Sequence, residues 1–443
     1  MDDEYAKFIR RMNPPRVVID NDACEHATVI KVDSVNKHGV LLDVVQALTD
    51  LNLIITKAYM SSDGGWFMDV FNVTDYGGNK IRDERILNYI QKTLETDACF
   101  LPSLRDSVGV MPSSKEHTSI ELMGTERPGL LSELCAVLTD LRCNVVNAEI
   151  WTHNERAAAV VHVTDESTGS PIEEDSERLS KIKQLLCYLL KGNNGLRTAK
   201  MALSPPGLIH TERRLHQMMF ADRDYERVEG KGMTRAKDWS SRPDVTVLDC
   251  IEKDYTVITM RSKDRPKLLF DTICTLTDMQ YVVFHGTVNT ARMEAYQEYY
   301  IRHVDGFPIR SEAEQQRLRQ CLEAAIERRS SEGVELELCT EDRVGLLSDI
   351  TRIFRENSLY IKRAKISTKG GKAKDTFYVT DASGDPVDPK AIDSICRQIG
   401  QTILQVKQSW RSFSPKPPKE TRTAGFLLGN LFKTNFRLIR SCS

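Results

Sequence analysis

TERPGLLSE, at Thr125 to Glu133, lies between a strand-like run, Thr118 to Leu122, and a helix-like run, Leu130, Leu131, Leu134, Val137, Leu138 and Leu141. Alternating β-branched and apolar residues build a strand, whereas an apolar stripe recurring every three or four positions builds a helix with one buried face. The quoted letters are therefore the turn of a strand-turn-helix unit. The turn recurs three times, as NKHGVLLD at Asn36 to Asp43, SKDRPKLLFD at Ser262 to Asp271 and EDRVGLLSD at Glu341 to Asp349. Each copy follows its own strand-like run: Ala27 to Val32, Tyr255 to Met260 and Val334 to Leu338.

With Gly39, Gly129, Lys267 and Gly345 as equivalent origins, the rest of each repeat falls into line. Sixteen positions on come Ile55, Val145, Val283 and Ile361, in a second strand; nineteen on come the small residues Ala58, Ala148, Gly286 and Ala364, so this strand must pass close to something. A third strand ends in Val73-Thr74-Asp75, Val163-Thr164-Asp165 and Val379-Thr380-Asp381; in the third repeat Val304-Asp305 stands two positions late, which predicts a longer hairpin there. A second helix follows, as at Arg82 to Leu94 and Ser176 to Leu190, then in some repeats a last strand such as Arg197 to Leu203. The order strand, helix, strand, strand, helix, strand is the split βαβ plan of ferredoxin-like folds, so the expected class is α+β with four tandem units.

Residues 16–112 are read as unit one with an extra leading strand from Arg16 to Asp20, and 116–204 as unit two. A linker follows at 205–242, then unit three at 243–331, with a leading strand from Asp244 to Asp249, and unit four at 332–408. Units one and three share the leading strand, which suggests a duplicated pair, and unit three has no room for a last strand, so its leading strand is expected to fill that edge. The linker block HTERRLHQMMFADRDYER, His210 to Arg227, reads as a charged helix; Asp222 and Asp224 within it are read as part of a solvated face, not as a metal site. Residues 409–443 read as a basic amphipathic tail.

A chain of 443 residues with 40% hydrophobic and 28% charged residues and a net charge of -2 is an ordinary globular composition in several domains, and it offers no basic excess for nucleic acid. No apolar run reaches the ~20 residues that span a bilayer, and the first fifteen residues lack a signal-peptide core. The 11 cysteines form no closely spaced pairs; Cys135, Cys274 and Cys339 lie in apolar patterns and read as reduced core residues. These features point to a cytoplasmic protein, nuclear entry being left open. Neither a phosphate-binding glycine loop nor a nucleophile elbow occurs, and no histidine precedes an aspartate. No enzyme activity, metal or cofactor is expected.

Backbone N-H groups in the first turn of a helix have no partner inside the helix and can hold an anion. Pro128 suits a first helical position, Gly129 and Gly345 permit close approach to the backbone, and Glu126 and Asp342 could meet an ammonium group. A tight β-α turn also favours glycine and proline for purely structural reasons, and the leucines serve the core in either case.

The Glu-Arg-Pro-Gly-Leu-Leu-Ser-Glu turn in a split βαβ unit resembles the ACT domain, a small regulatory module that commonly binds amino acids. Four copies, the His210 to Arg227 linker and the ending GFLLGNLFKTNFRLIRSCS, Gly425 to Ser443, together resemble the plant ACT-domain-repeat family, related to the ACT repeats of bacterial uridylyltransferases, over nearly the whole chain. The resemblance implies a non-catalytic regulator whose ligand, glutamine or another small amino acid, sits between two units, on the first turn of one and the second strand of the other. Carried onto this sequence, the site residues are Glu126, Arg127, Pro128, Gly129, Leu130, Leu131, Ser132 and Asn147 in unit two, and Asp342, Arg343, Gly345, Leu346 and Leu347 in unit four. Unit one departs through Lys37-His38 and unit three through Lys267. The alternative is a scaffold in which units associate through edge strands without a ligand. A regulated protein partner and self-association through the units are both compatible with either reading. The tail could dock on the chain's own units, on a partner or on an anionic membrane.

Overall fold

The computed structural model describes residues 16–35, 38–63, 66–95, 117–173, 176–191, 199–203, 210–226, 242–291, 293–330, 333–385, 387–400 and 403–407. The tail, most of the linker and the end of unit one lie outside these residues. Unit one comprises β1 (Arg16–Asp20), β2 (Thr28–Val35), α1 (Val40–Asp50), β3 (Ile54–Asp63), β4 (Trp66–Thr74) and α2 (Glu84–Glu95). Unit two comprises β5 (Thr118–Thr125), α3 (Leu130–Asp140), β6 (Cys143–His153), β7 (Arg156–Asp165), α4 (Glu177–Lys191) and β8 (Lys200–Leu203). The linker contributes α5 (Thr211–Ala221). Unit three comprises β9 (Asp244–Cys250), β10 (Tyr255–Lys263), α6 (Leu268–Asp278), β11 (Tyr281–Ala291), β12 (Glu294–His303) and α7 (Glu312–Glu327). Unit four comprises β13 (Val334–Glu341), α8 (Leu346–Glu356), β14 (Tyr360–Lys369), β15 (Lys372–Thr380), α9 (Pro389–Ile399) and β16 (Leu404–Val406).

The strands form two eight-stranded sheets, ordered β1-β2-β4-β3-β11-β12-β10-β9 and β16-β13-β15-β14-β6-β7-β5-β8. Units therefore pair one with three and two with four, across the duplication. The seams are antiparallel, β3 against β11 with Ala58 opposite Val288, and β14 against β6 with Ile366 opposite Ala148. The close pass foreseen for the second strand is real: a Cβ on Gly286 would come within 2.9 Å of Tyr299 and 3.1 Å of Met60. The leading strands β1 and β9 pair with β2 and β10, the edge position that β8 and β16 hold beside β5 and β13 in the other units.

The helices of the four units cover one face of each sheet, with α1 packed on α6 and α3 on α8, over two continuous apolar cores. Two expectations fail on register. Val283 pairs with Ile301 as Ile55 pairs with Val73, so the third hairpin is not longer; Ile301-Arg302-His303 holds the place of Val-Thr-Asp, and Val304-Asp305 follows it. Alternation in β13 sends Leu336 and Leu338 inward and leaves Cys339 exposed, because successive side chains of a strand point to opposite faces.

The linker helix is not a solvated face. Leu215, Met218 and Met219 of α5 pack against Met123, Trp151, Ala158 and Val160 on the open face of unit two's sheet, and Trp151 is wholly buried. Polar residues of α5 reach both units: Glu212, Arg213 and His216 pair with unit three, while Arg214 pairs with Glu121 of unit two. Asp224, with no exposed surface, receives two hydrogen bonds from Arg328 (2.6 and 2.7 Å) and lies 3.0 Å from His153. Asp222 pairs with Arg156 at 3.0 Å, so the two aspartates point to different partners. His216 bonds to Asp271 at 2.8 Å, and Asp271 also meets Arg265 (2.7 Å) and Arg329 (3.0 Å). One helix thus joins the two sheets by an apolar side and an ionic side.

Candidate functional site

All four origin residues are left-handed, with φ of 92° at Gly39, 79° at Gly129, 67° at Lys267 and 76° at Gly345. Glycine adopts that conformation freely, whereas another residue loses roughly 1–2 kcal/mol. The left-handed residue caps the helix, so α3 begins at Leu130 and Pro128 lies in the turn ahead of it, not at the first helical position. Behind the turn, Arg127 is ion-paired with Glu133, Arg265 with Asp271 at 2.7 Å and Arg343 with Asp349 at 2.7 Å. The arginine and the final acid of the repeated motif are therefore partners of each other. Between Arg127 and Glu133 the hydrogen bond raises the guanidinium's pKa and lowers the carboxyl's.

The Leu130 amide donates to the Arg127 carbonyl at 3.2 Å, so Leu131 and Ser132 carry the first-turn amides that the helix leaves without an internal partner. These residues edge a pocket of about 600 Å³, counting its open mouth, between unit two's turn and unit four. Its floor and walls are apolar: Leu122, Leu134, Ile150, Ala157, Ala159 and Leu190 from unit two, Leu359 and Ile361 from unit four. Thr351 and Arg355 of α8 and Tyr360 of β14 close the far side. Arg355 lies over the turn, its Cδ 2.9 Å from where a Cβ on Gly129 would stand, so glycine is needed here for space as well as for φ.

Each second strand carries a register shift at one place, between Ile55 and Lys57, Val145 and Asn147, Val283 and His285, Ile361 and Arg363. A bulge re-aims a side chain. In unit four the bulged residue is Lys362, whose Nζ donates to Glu126 Oε1 at 2.9 Å; the Tyr360 hydroxyl donates to the same oxygen. Burial raises the Tyr360 phenol first, and the adjacent Glu126 carboxylate raises it further.

Of the sequence-derived candidates, Glu126, Arg127, Gly129, Leu130, Leu131 and Ser132 line this pocket, while Pro128 and Asn147 do not. Asn147 lies on β6 opposite Ser367, at the seam with unit four. Asp342, Arg343, Gly345, Leu346 and Leu347 form unit four's turn, which faces α3: Gly345 stands 3.7 Å, from its Cβ position, from Thr139. The two sets do not meet. Sequence reading missed Arg355, Tyr360 and Lys362, because nothing local says which unit will lie opposite a given turn.

Unit three's turn meets the linker. Glu212 of α5, 5% exposed, is ion-paired with Lys267 and, at 2.7 Å, with Arg329. Burial alone would raise its carboxyl, but Arg329 and Lys267 outweigh that and hold it well below the usual range. The lysine at this left-handed position thus makes an ion pair to the linker that a glycine could not make.

A ferredoxin-like unit with a glycine turn before its first helix, joined edge to edge to a second unit, is an ACT domain. Matching agrees: the profile described as "ACR family N-terminal ACT domain" covers residues 23–101, and that of the "ACT domain" covers 118–180. ACT domain-containing protein ACR6 of Arabidopsis thaliana is 67% identical over 438 residues, 98% of this chain and 99% of its own, and ACR4 of the same plant is 64% identical over 452 residues, 100% and 99%. A bifunctional uridylyltransferase/uridylyl-removing enzyme of Rhodospirillum rubrum is 26% identical over 234 residues, 52% of this chain but 22% of that enzyme. The chain belongs to the ACR family of ACT domain-containing proteins.

Proposed function

We infer that the chain is a non-catalytic regulator that binds a free amino acid between unit two's turn and unit four. The observation carrying this reading is the make-up of that pocket. The turn that carries the first-turn amides meets the Arg355 side chain at the pocket's rim, over a floor of leucine, isoleucine and alanine. A carboxylate belongs at the rim, an ammonium at Glu126 Oε2, and an aliphatic side chain on the floor, which favours a leucine-like ligand over glutamine. The lining contains no His, Cys or Asp, and its one glutamate, Glu126, accepts from both Lys362 and the Tyr360 hydroxyl. A ligand touching two units can change their arrangement only through a difference in affinity for the two states.

The test is a melting-temperature screen of the full chain with the twenty amino acids. A binder at about a hundred times its dissociation constant adds ~2.7 kcal/mol of stability. Arg355→Gln should leave the unliganded melt within ~0.5 kcal/mol, Arg355 being exposed, and weaken the binder by tenfold or more through loss of a charged hydrogen bond. A flat screen would overturn the reading and favour the scaffold.

A further inference from the structure

The pocket beside unit one's turn repeats the first one position for position, but with a different floor. It holds about 470 Å³, counting its mouth, between Gly39 and Leu41 of unit one and Ile273, Thr277 and Val283 of unit three. Gly39 stands where Gly129 does, Thr277 where Arg355 does, and Asp69 of β4 where the apolar pocket has Ala159. Asp69 is 2% exposed. Around it stand Met60 and Phe67, and the Ser61 amide is the one hydrogen-bond donor acting on its carboxyl. Desolvation pushes that carboxyl up to about 8, against the pull of Ser61.

We propose that this pocket is a second binding site, for a compound with an ammonium group at the end of an alkyl chain, as in the side chain of lysine, which the Asp69 carboxylate receives at the pocket floor. The walls mix apolar side chains with His38, Ser62, Thr277 and Tyr281, yet no basic group acts on the buried Asp69 carboxyl, and an ammonium brought down the pocket supplies a countercharge together with up to three N-H donors. The ligand's ammonium, more basic than the carboxyl, remains protonated; Asp69 gives its proton to solvent and an ion pair forms. A metal ion is a poor fit, because no group of three His, Cys, Asp or Glu suited to one occurs among the described residues. In unit three the same place is taken by Gln297, whose Nε2 has no hydrogen-bond partner, and in unit four by Asp375, which accepts from the Ser367 amide at 3.1 Å. The third-strand residue is thus the position at which the four units differ in what they accept. The shared turn links this site to the amino-acid reading above, but the ammonium contact stands apart from Arg355.

Calorimetric titration of the full chain with L-lysine, L-ornithine and n-butylammonium, against L-norleucine and L-glutamine, tests it. At least one of lysine, ornithine and n-butylammonium should bind, and Asp69→Asn or Asp69→Ala should weaken it tenfold or more while leaving any norleucine binding at unit two's pocket unchanged. Arg355→Gln should leave that binding unchanged, so loss of aliphatic amino-acid binding there separates failure of the first site from failure of this one. No binding of any ammonium compound, or binding equal in wild type and both Asp69 variants, overturns the proposal. Norleucine or glutamine binding that Asp69→Ala weakens as much as it weakens the alkylammonium compounds also overturns it.

Discussion

Asp271→Ala is expected to lower the unfolding free energy by about 3–5 kcal/mol, measured by denaturant titration at neutral pH, because it leaves charges buried without their partner. Asp271 has no exposed surface and faces Arg265, Arg329 and His216. Burial would raise its carboxyl, yet Arg329, Arg265 and His216 hold it below the ordinary range, and Arg328 does the same for Asp224. Carboxyls with depressed folded-state values contribute stability above about pH 4, the unfolded value, and lose it as the pH falls below that. The chain should therefore be acid-labile, and less steeply so in Asp271→Ala. Glu133→Ala, at the same repeat position, should cost less than about 1 kcal/mol, since the Glu133 side chain is 35% exposed and its ion pair is largely screened. Equal losses in the two variants would contradict the burial that separates them.

Asp69→Asn should do the opposite and stabilise the unliganded chain by about 4 kcal/mol at pH 7. The folded carboxyl keeps its proton up to about pH 8, whereas the unfolded one ionises near 3.9. Stability from such a group is complete below the unfolded value and declines as the pH rises toward the folded one. The advantage of asparagine should accordingly vanish near pH 4 and grow to its full size by about pH 8, which paired denaturation curves at the two pH values would show. Such a cost in stability is what the ammonium site proposed above would exact.

The elements of all four units were legible because strand alternation, helical stripes and turn residues are local. Register within unit three was not, since Ile301-Arg302-His303 shares almost no letters with Val-Thr-Asp although it fills the same ladder positions. Lys267 read as a lost glycine because its reason, Glu212, comes from the linker, and the linker itself read as solvated because its charges balance those of another unit. Half of the candidate pocket, the turn of unit two, could be found from the motif. Arg355, Tyr360 and Lys362 could not: sequence similarity between repeats is the same whichever partner each unit chooses, and only the seams of the sheets decide it.

Those seams also set a timetable for synthesis. Unit one leaves the ribosome with β3 as a bare edge, and the strand that will cover it, β11, follows only after the whole of unit two and the linker. At ~5–20 residues per second the wait is on the order of ten seconds or more, with β6 exposed in the same way until β14 emerges. During that interval the two halves of a nascent chain, or two neighbouring chains on one message, can zip the wrong edges together. The interleaved order of the repeats makes assembly a late event, completed only when the last unit has been made.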